Sequence, residues 1–280
     1  MIINLKKLLI IAVAGVLCLS AVFLASALET ESVKLPILMY HHISERNGRL
    51  NKYTISPDEL ESDLDYIQKS GYTTVGIQDL INYTNGDDLP DNPIMITFDD
   101  GYESVYDYAY PALKKHNMKA VVNIIAKYSE LYSKSDDHNV NYAHLTFEQL
   151  REMTNDNTFE IGNHTYDLHS SGERKGIQKK KNESDVKYAE IISADIKKAQ
   201  IMIADNVYKM PAVFAYPFGT ISKQALPVLK RIGFSAVFCC WEKENTLTGD
   251  KEELYHLNRF NRPHGKSAEK ILSSAQSARK

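Results

Sequence analysis

The chain is 280 residues long, 43% hydrophobic, 25% charged and 10% aromatic, with 13 Gly, 9 Pro and 3 Cys. That composition excludes the disordered, collagenous and disulfide-rich classes and suits one large α/β domain or two small ones. The formal net charge is −3 and the one basic run, Lys179-Lys180-Lys181, lies in a polar stretch, which excludes nucleic acid as an expected partner.

Lys6 and Lys7 precede Leu8–Leu28, which carries no charge. This is the layout of a secretory signal or a signal anchor. Ala25-Ser26-Ala27 offers a cleavage pattern, yet the apolar run is also long enough to cross roughly 30 Å of hydrocarbon at about 1.5 Å per residue. The lysines favour an N-terminus that stays inside, so the remainder is expected outside the membrane, either released or held there by an uncleaved segment. Leu17-Cys18 lacks the small residue that a lipoprotein carries before its cysteine. Residues 1–28 are read as the targeting segment and 29–280 as one domain.

Ile37–Ile43 is an apolar strand. Ser56-Pro57-Asp58-Glu59 opens a helix with Ser at the N-cap, Pro at N1 and Glu at N3. Leu60, Leu64 and Ile67 form its stripe, and Gly71 closes it. Tyr72–Ile77 reads as strand, Gln78–Tyr83 as a short helix and Pro93–Phe98 as a strand entering Asp99-Asp100-Gly101. Ser104–His116 is helical and Ala120–Ala126 is strand. Thr146-Phe147-Glu148-Gln149 starts a helix with capping-box spacing. Phe159–Thr165 is strand, Ser184–Asn206 a long amphipathic helix, Val213–Tyr216 strand and Ser222–Ile232 helix. Ser235–Trp241 is a strand whose Cys239 and Cys240 read as two small core residues. Leu254–Phe260 is the last strand and Ser267–Ser277 the last helix. Repeated strand–helix units with few hairpin signals predict an α/β fold with a parallel sheet, and seven or eight such units predict a closed or nearly closed barrel.

In such a barrel the C-terminal strand ends carry the chemistry. Four of them end in polar or turn-forming residues: His41-His42, Asp99-Asp100-Gly101, Asn163-His164 with His169 shortly after, and Tyr216-Pro217-Phe218-Gly219. Alone, each has a plainer reading as a turn, a solvated loop or a strand terminus. Together they place two carboxylates and three or four imidazoles on one rim, which is the inventory of a metal hydrolase.

Thr97-Phe98-Asp99-Asp100-Gly101 resembles the first motif of the polysaccharide deacetylases, the family-4 carbohydrate esterases with a NodB homology domain. Glu160-Ile161-Gly162-Asn163-His164-Thr165 resembles the second, which supplies two histidine ligands. Those histidines are usually four apart; here His164 and His169 are five apart. The same spacing occurs in the branch that resembles poly-N-acetylglucosamine deacetylases. That branch also has a strand ending in Tyr-His, matched by Leu38-Met39-Tyr40-His41. Phe214–Gly219 resembles the third motif without its arginine. The likeness spans roughly residues 36–264.

The resemblance implies a distorted (β/α) barrel of the NodB type and a hydrolase that removes N-acetyl groups from a polysaccharide. It implies Asp100, His164 and His169 as ligands of one divalent metal. Zinc is the first expectation, with cobalt, nickel or manganese as alternatives. Asp99 is then the general base and the Phe218 backbone N–H the oxyanion donor. His41 is the candidate general acid. In a strand its neighbour His42 should point the other way; His264 is the fallback, because usual members carry the acid near the C-terminus. Tyr216, Pro217 and Arg259 fall on the substrate side. Arg259 could also take the place of the missing third-motif arginine and tether Asp99; a surface arginine is the plain alternative. Loops Ser129–Tyr142 and Ser170–Glu183 are expected to line the groove and to choose among poly-N-acetylglucosamine, peptidoglycan and chitin-type substrates. A monomer is expected. A non-catalytic carbohydrate-binding relative is the competing class, and the filled catalytic and ligand positions argue against it.

Overall fold

Parallel strands carry the architecture of the computed structural model, which describes residues 32–277. They are β1 (Ile37–Tyr40), β2 (Thr73–Thr74), β3 (Pro93–Asp100), β4 (Ala120–Ile124), β5 (Phe159–Asn163), β6 (Val213–Ala215), β7 (Ala236–Phe238) and β8 (Phe260–Asn261). Seven are hydrogen-bonded in the order β7-β6-β5-β4-β3-β1-β8, and β2 pairs with the start of β3. The sheet curls through 237° as a half-barrel. Between β7 and β8 the chain bridges the gap through Leu257, whose N–H and carbonyl bond the backbone of Val237 and Cys239. The targeting segment expected at 1–28 lies outside the described residues. Among the described residues no helix is long and apolar enough to cross a membrane.

Strand side chains alternate between two faces. Ile37, Met95, Val121, Val213 and Phe238 pack together inside the half-barrel. Leu38, Ile94, Ile96, Phe98, Val122 and Ile161 pack outward against helices. Both faces are covered, so these strands read as nearly continuous apolar runs. The helices are α1 (Pro57–Lys69), α2 (Ile77–Tyr83), α3 (Tyr110–Lys115, entered through a π-turn at Val105–Ala109), α4 (Ala126–Tyr132), α5 (Phe147–Asn155), α6 (Asp185–Val207), α7 (Ala225–Ile232) and α8 (Ala268–Ser277). The capping boxes read from the sequence are made: Ser56 with Glu59 on α1, and Thr146 with Gln149 on α5.

Four of the departures from expectation have a clear local reason. The first strand breaks at His41; His42–Ile43 leave the main sheet and pair with Thr54–Ile55. That pairing folds residues 44–53 over the strand ends. The second strand shrinks to Thr73–Thr74, because the Glu160 carboxylate accepts the Ile77 and Gln78 N–H groups and starts α2 there. The expected loop from Ser129 opens as the end of α4. The last strand is reduced to Phe260–Asn261, because Asp250 caps a 3-10 turn over Lys251–His256.

Candidate active site

The carboxyl ends of β1, β3, β5 and β6 open into a cavity of about 910 Å³. Asp99 and Asp100 leave β3 side by side, and strict alternation would send them to opposite faces. Asp100 instead takes a left-handed backbone, φ 72°, and both carboxylates line the cavity. A non-glycine residue there is strained, and the surrounding structure holds it. The His144 Nδ1–H donates to the Asp100 carbonyl at 3.0 Å, and the Leu145 N–H donates to the Gly101 carbonyl at 2.8 Å. His144 is stacked between Tyr128 and Tyr102 at ring distances of 4.5 and 4.8 Å. Burial pushes its pKa down to about 4, so it stays neutral.

His164 follows β5 and His169 sits on the loop beyond. Their Nε2 atoms lie 3.5 and 3.3 Å from Asp100 Oδ1. Four-coordinate ligands about 2.1 Å from one ion stand roughly 3.4 Å apart, so the three donor atoms fit a single divalent metal. Their chemistry fits as well. The His164 Nδ1–H donates to the Ala215 carbonyl at 2.9 Å, which leaves Nε2 with its lone pair toward the cluster. Burial pushes the His164 pKa down to about 3 and lowers that of His169. Both rings are therefore neutral, as metal-binding imidazoles must be. Burial, with Asp99 beside it, raises Asp100 to about 6 against the pull of His41; a cation at the cluster would offset that cost.

Asp99 has the opposite surroundings. Burial pushes its pKa up, but the Arg259 guanidinium outweighs that and holds it well below the usual carboxylate range. Arg259 grips both oxygens, NH1 to Oδ1 at 2.7 Å and NH2 to Oδ2 at 2.8 Å. Asn123 Nδ2 adds a third donor to Oδ1 at 2.7 Å. Arg259 is 0% exposed; its Nε donates to the Cys239 carbonyl and its plane lies 4.9 Å from the Phe238 ring centroid. The segment that bridges β7 to β1 carries it inside the half-barrel.

The sequence profile of the polysaccharide deacetylase family matches residues 86–237, which include β3, β4, β5 and the Asp100–His164–His169 cluster. The chain belongs to the polysaccharide deacetylase family. The deacetylase is 28% identical over 221 residues to the poly-β-1,6-N-acetyl-D-glucosamine N-deacetylase of Staphylococcus epidermidis, covering 79% of this chain and 73% of that one. The protein of the same name from Staphylococcus aureus is 25% identical over 231 residues, covering 78% and 75%. Among solved structures, a de-N-acetylase from Aggregatibacter actinomycetemcomitans superposes with a TM-score of 0.74 at 23% identity, covering 86% of this chain and 99% of that one. IcaB from Ammonifex degensii gives 0.69 at 25%, covering 88% and 97%. These likenesses establish the NodB-type fold, and family membership makes the chain a hydrolase of amide bonds.

The deacetylase places its expected site residues unevenly. His41, Asp99, Asp100, His164, His169, Tyr216 and Phe218 all line the cavity. Phe218 has a left-handed backbone, φ 56°, and its ring lies 4.5 Å from that of His169. Arg259 and Pro217 do not line the cavity. Arg259 is sealed beneath Asp99, so it holds that carboxylate and not a sugar; Pro217 is buried against Gly176. His42 does not point away as a continuous strand would require. The strand has already ended, and the His42 ring lines the cavity with Nε2 at 3.1 Å from the Val140 carbonyl. His264 lies outside the cavity, with Nδ1 2.9 Å from Glu59 on α1. Cys239 is core as expected, but Cys240 lines the cavity, 3.6 Å from Arg259. Sequence reasoning missed Asn123, His144 and the wall Gly48–Thr54. Asn123 carried a signal: a lone amide in the apolar run Ala120–Ile124.

Proposed function

We propose that this deacetylase removes N-acetyl groups from N-acetylglucosamine residues of an extracellular or cell-surface polysaccharide, and that the names of its Staphylococcus relatives point to poly-N-acetylglucosamine-type polymers as the starting comparison. The observation that carries the reading is the three-donor cluster of Asp100, His164 and His169 beside an ionised, tethered Asp99, on one open cavity. When bound there, a divalent ion, zinc by the donor set, supplies Lewis acidity toward water and the acetamide carbonyl.

The chain's own groups then divide the proton traffic. Water adds to the acetamide carbon while Asp99 accepts its proton. The Arg259 fork keeps resting Asp99 anionic; as a weak base it gives the proton it has taken to solvent in the open cavity, from which His41 regains its own after the reaction. The Phe218 backbone N–H, on a left-handed residue beside His169, is the donor for the carbonyl oxygen as charge develops. His41 protonates the leaving amine as the C–N bond breaks, giving acetate and a free amino sugar. The Nδ1 of His41 has no hydrogen-bond partner and no carboxylate is bonded to the ring, so nothing fixes its proton away from this task. The charge-free Leu8–Leu28 behind two lysines supports export, with the catalytic domain 29–280 outside, acting as a monomer.

Acetate release from N-acetylglucosamine oligomers tests the reading. It should disappear after exhaustive chelation and return on adding zinc. Undiminished release from the chelated protein would overturn it.

A further inference from the structure

Three cations stand on the rim of the cavity, each anchored by something other than a carboxylate. Arg49 NH1 donates to the Asn141 carbonyl at 2.9 Å. Lys52 Nζ lies over the Tyr53 ring at 4.6 Å, and Lys175 Nζ over the Phe218 ring at 5.8 Å. All three are exposed and line the cavity. Nearby surface lysines are treated differently: Lys127, Lys134 and Lys180 pair with Asp167, Glu130 and Glu173. Among the described lining residues the opposing charges are few. Asp99 is committed to Arg259 and Asp100 to the metal donors, which leaves Glu242. This local excess of positive charge stands on a chain whose formal net charge is −3. The cation–ring contacts and the carbonyl contact hold the charges in place yet leave their fields unneutralised.

We infer that the polymer carries a negatively charged oxygen group, a carboxylate or a phosphate, on the units flanking the sugar whose acetamide reaches Asp99. The inference rests on the deacetylase reading above and replaces the neutral poly-N-acetylglucosamine taken there as the starting comparison with an anionic polymer. Each exposed ion pair contributes a factor of roughly 1.4 to 5, so the three together favour an anionic strand on the order of tenfold at low salt. The reaction itself turns a neutral acetamide into an ammonium group, which the same rim repels. A sugar beside an already deacetylated one is thus the poorer substrate, and deacetylated positions come out spaced along the chain.

Three β-1,4-linked glycans isolate the charge. Peptide-free peptidoglycan strands carry a lactyl carboxylate on alternate sugars, carboxyl-reduced strands keep the linkage without the charge, and chitin oligomers are neutral. A poly(glycerol phosphate) decorated with N-acetylglucosamine presents phosphate instead. Equilibrium binding and acetate release are both measured at low and high salt. One of the two anionic polymers should bind about tenfold tighter than chitin at low salt, with the gap closing at high salt. If the carboxylate is the group read, carboxyl reduction should abolish the gap. The combined Arg49→Gln, Lys52→Gln and Lys175→Gln variant should abolish it for either anion. Partly deacetylated chitin should bind more weakly than fully acetylated chitin. Chitin binding as tightly as both anionic polymers, or a gap that survives the triple variant, would overturn the inference. Tighter anionic binding with no acetate released from any polymer would leave the rim intact and remove the deacetylase reading.

Discussion

Asp99 and Asp100 are chemically the same residue in opposite surroundings. Arg259 and Asn123 donate three hydrogen bonds to Asp99, whereas Asp100 faces two neutral imidazoles. Substitution should separate them. Asp99→Asn should retain the metal and lose about 10²–10⁴-fold in turnover, the usual worth of a general base. Asparagine keeps one acceptor but leaves the buried Arg259 without its counter-charge, so the melting temperature should fall, and a cooperative unfolding transition checks that the fold survives at the assay temperature. Asp100→Asn should instead release the metal, read by elemental analysis of the dialysed protein. The reverse pattern would exchange the two roles. His41 yields a pH prediction. Burial lowers its pKa from the ordinary histidine value, and the charges of Asp100 and Asp99 recover part of the loss. A general acid works while protonated, so kcat/KM should fall as pH rises through a value below about 6.5. His41→Ala should remove that limb and most of the turnover. His264→Ala should leave the limb in place, because His264 lies outside the cavity against Glu59.

Strand register explains why Asp99 is so well held. Asp99 of β3 pairs with Asn123 of β4, and Asn123 pairs with Gly162 of β5, so one lateral row crosses three strands. Asn123 leans over Gly162: a Cβ built on that glycine would stand 1.9 Å from Asn123 Oδ1 and 3.0 Å from Val213. Gly162→Ala should therefore cost about 1–3 kcal/mol in stability through overpacking. It should also lower kcat, because Asn123 must swing off Asp99; an alanine variant with wild-type melting and turnover would refute the row as a support. The same strands show what a sequence reveals. β3, β4 and β5 are legible because strands covered on both faces must be apolar throughout, and α1 and α5 are legible from Ser56–Glu59 and Thr146–Gln149, whose capping is local. Asp100, His164 and His169 are legible because each ends such a strand, follows it or lies on its loop. Arg259 is legible only as one of two alternatives, a tether for Asp99 or a surface arginine, since its burial depends on a segment that bridges β7 to β1 and is only a two-residue strand at its end. The break at His41 and the wall Gly48–Thr54 depend on Thr54–Ile55 offering a second pairing partner, which no local pattern announces.

Charged groups of α1 clamp the β8 edge of the half-barrel. Asp63 is 1% exposed and accepts from Arg262 Nε at 2.6 Å, from the Tyr40 hydroxyl at 3.0 Å and from the Ala268 N–H at 2.8 Å. One carboxylate thus joins β1, the chain after β8 and the start of α8. Glu59, one turn earlier, accepts from the Ser56 N–H, the Gly265 N–H, Arg262 and His264. Burial pushes the Glu59 pKa up, but these donors, His264 first, bring it down to about 2. An unfolded glutamate titrates near 4.3. A carboxyl group whose folded pKa is depressed stabilises the fold above its unfolded value, and loses that contribution as pH falls through the interval from about 4.3 to about 2. Asp63 has the opposite sign, since burial raises its pKa, so the Glu59 contribution must be isolated by difference. Glu59→Gln keeps the shape and removes the charge. Hydrogen bonds to charged groups are worth about 1.5–3 kcal/mol each when made well, and glutamine retains some of them. The wild type should therefore be more stable than Glu59→Gln by about 1–2 kcal/mol at neutral pH. Urea unfolding of both proteins from neutral to acidic pH should show that advantage holding down to about pH 5 and shrinking steadily below it. An advantage that stays constant to about pH 3 would mean that packing, and not the ionised carboxylate, holds the C-terminal segment onto α1.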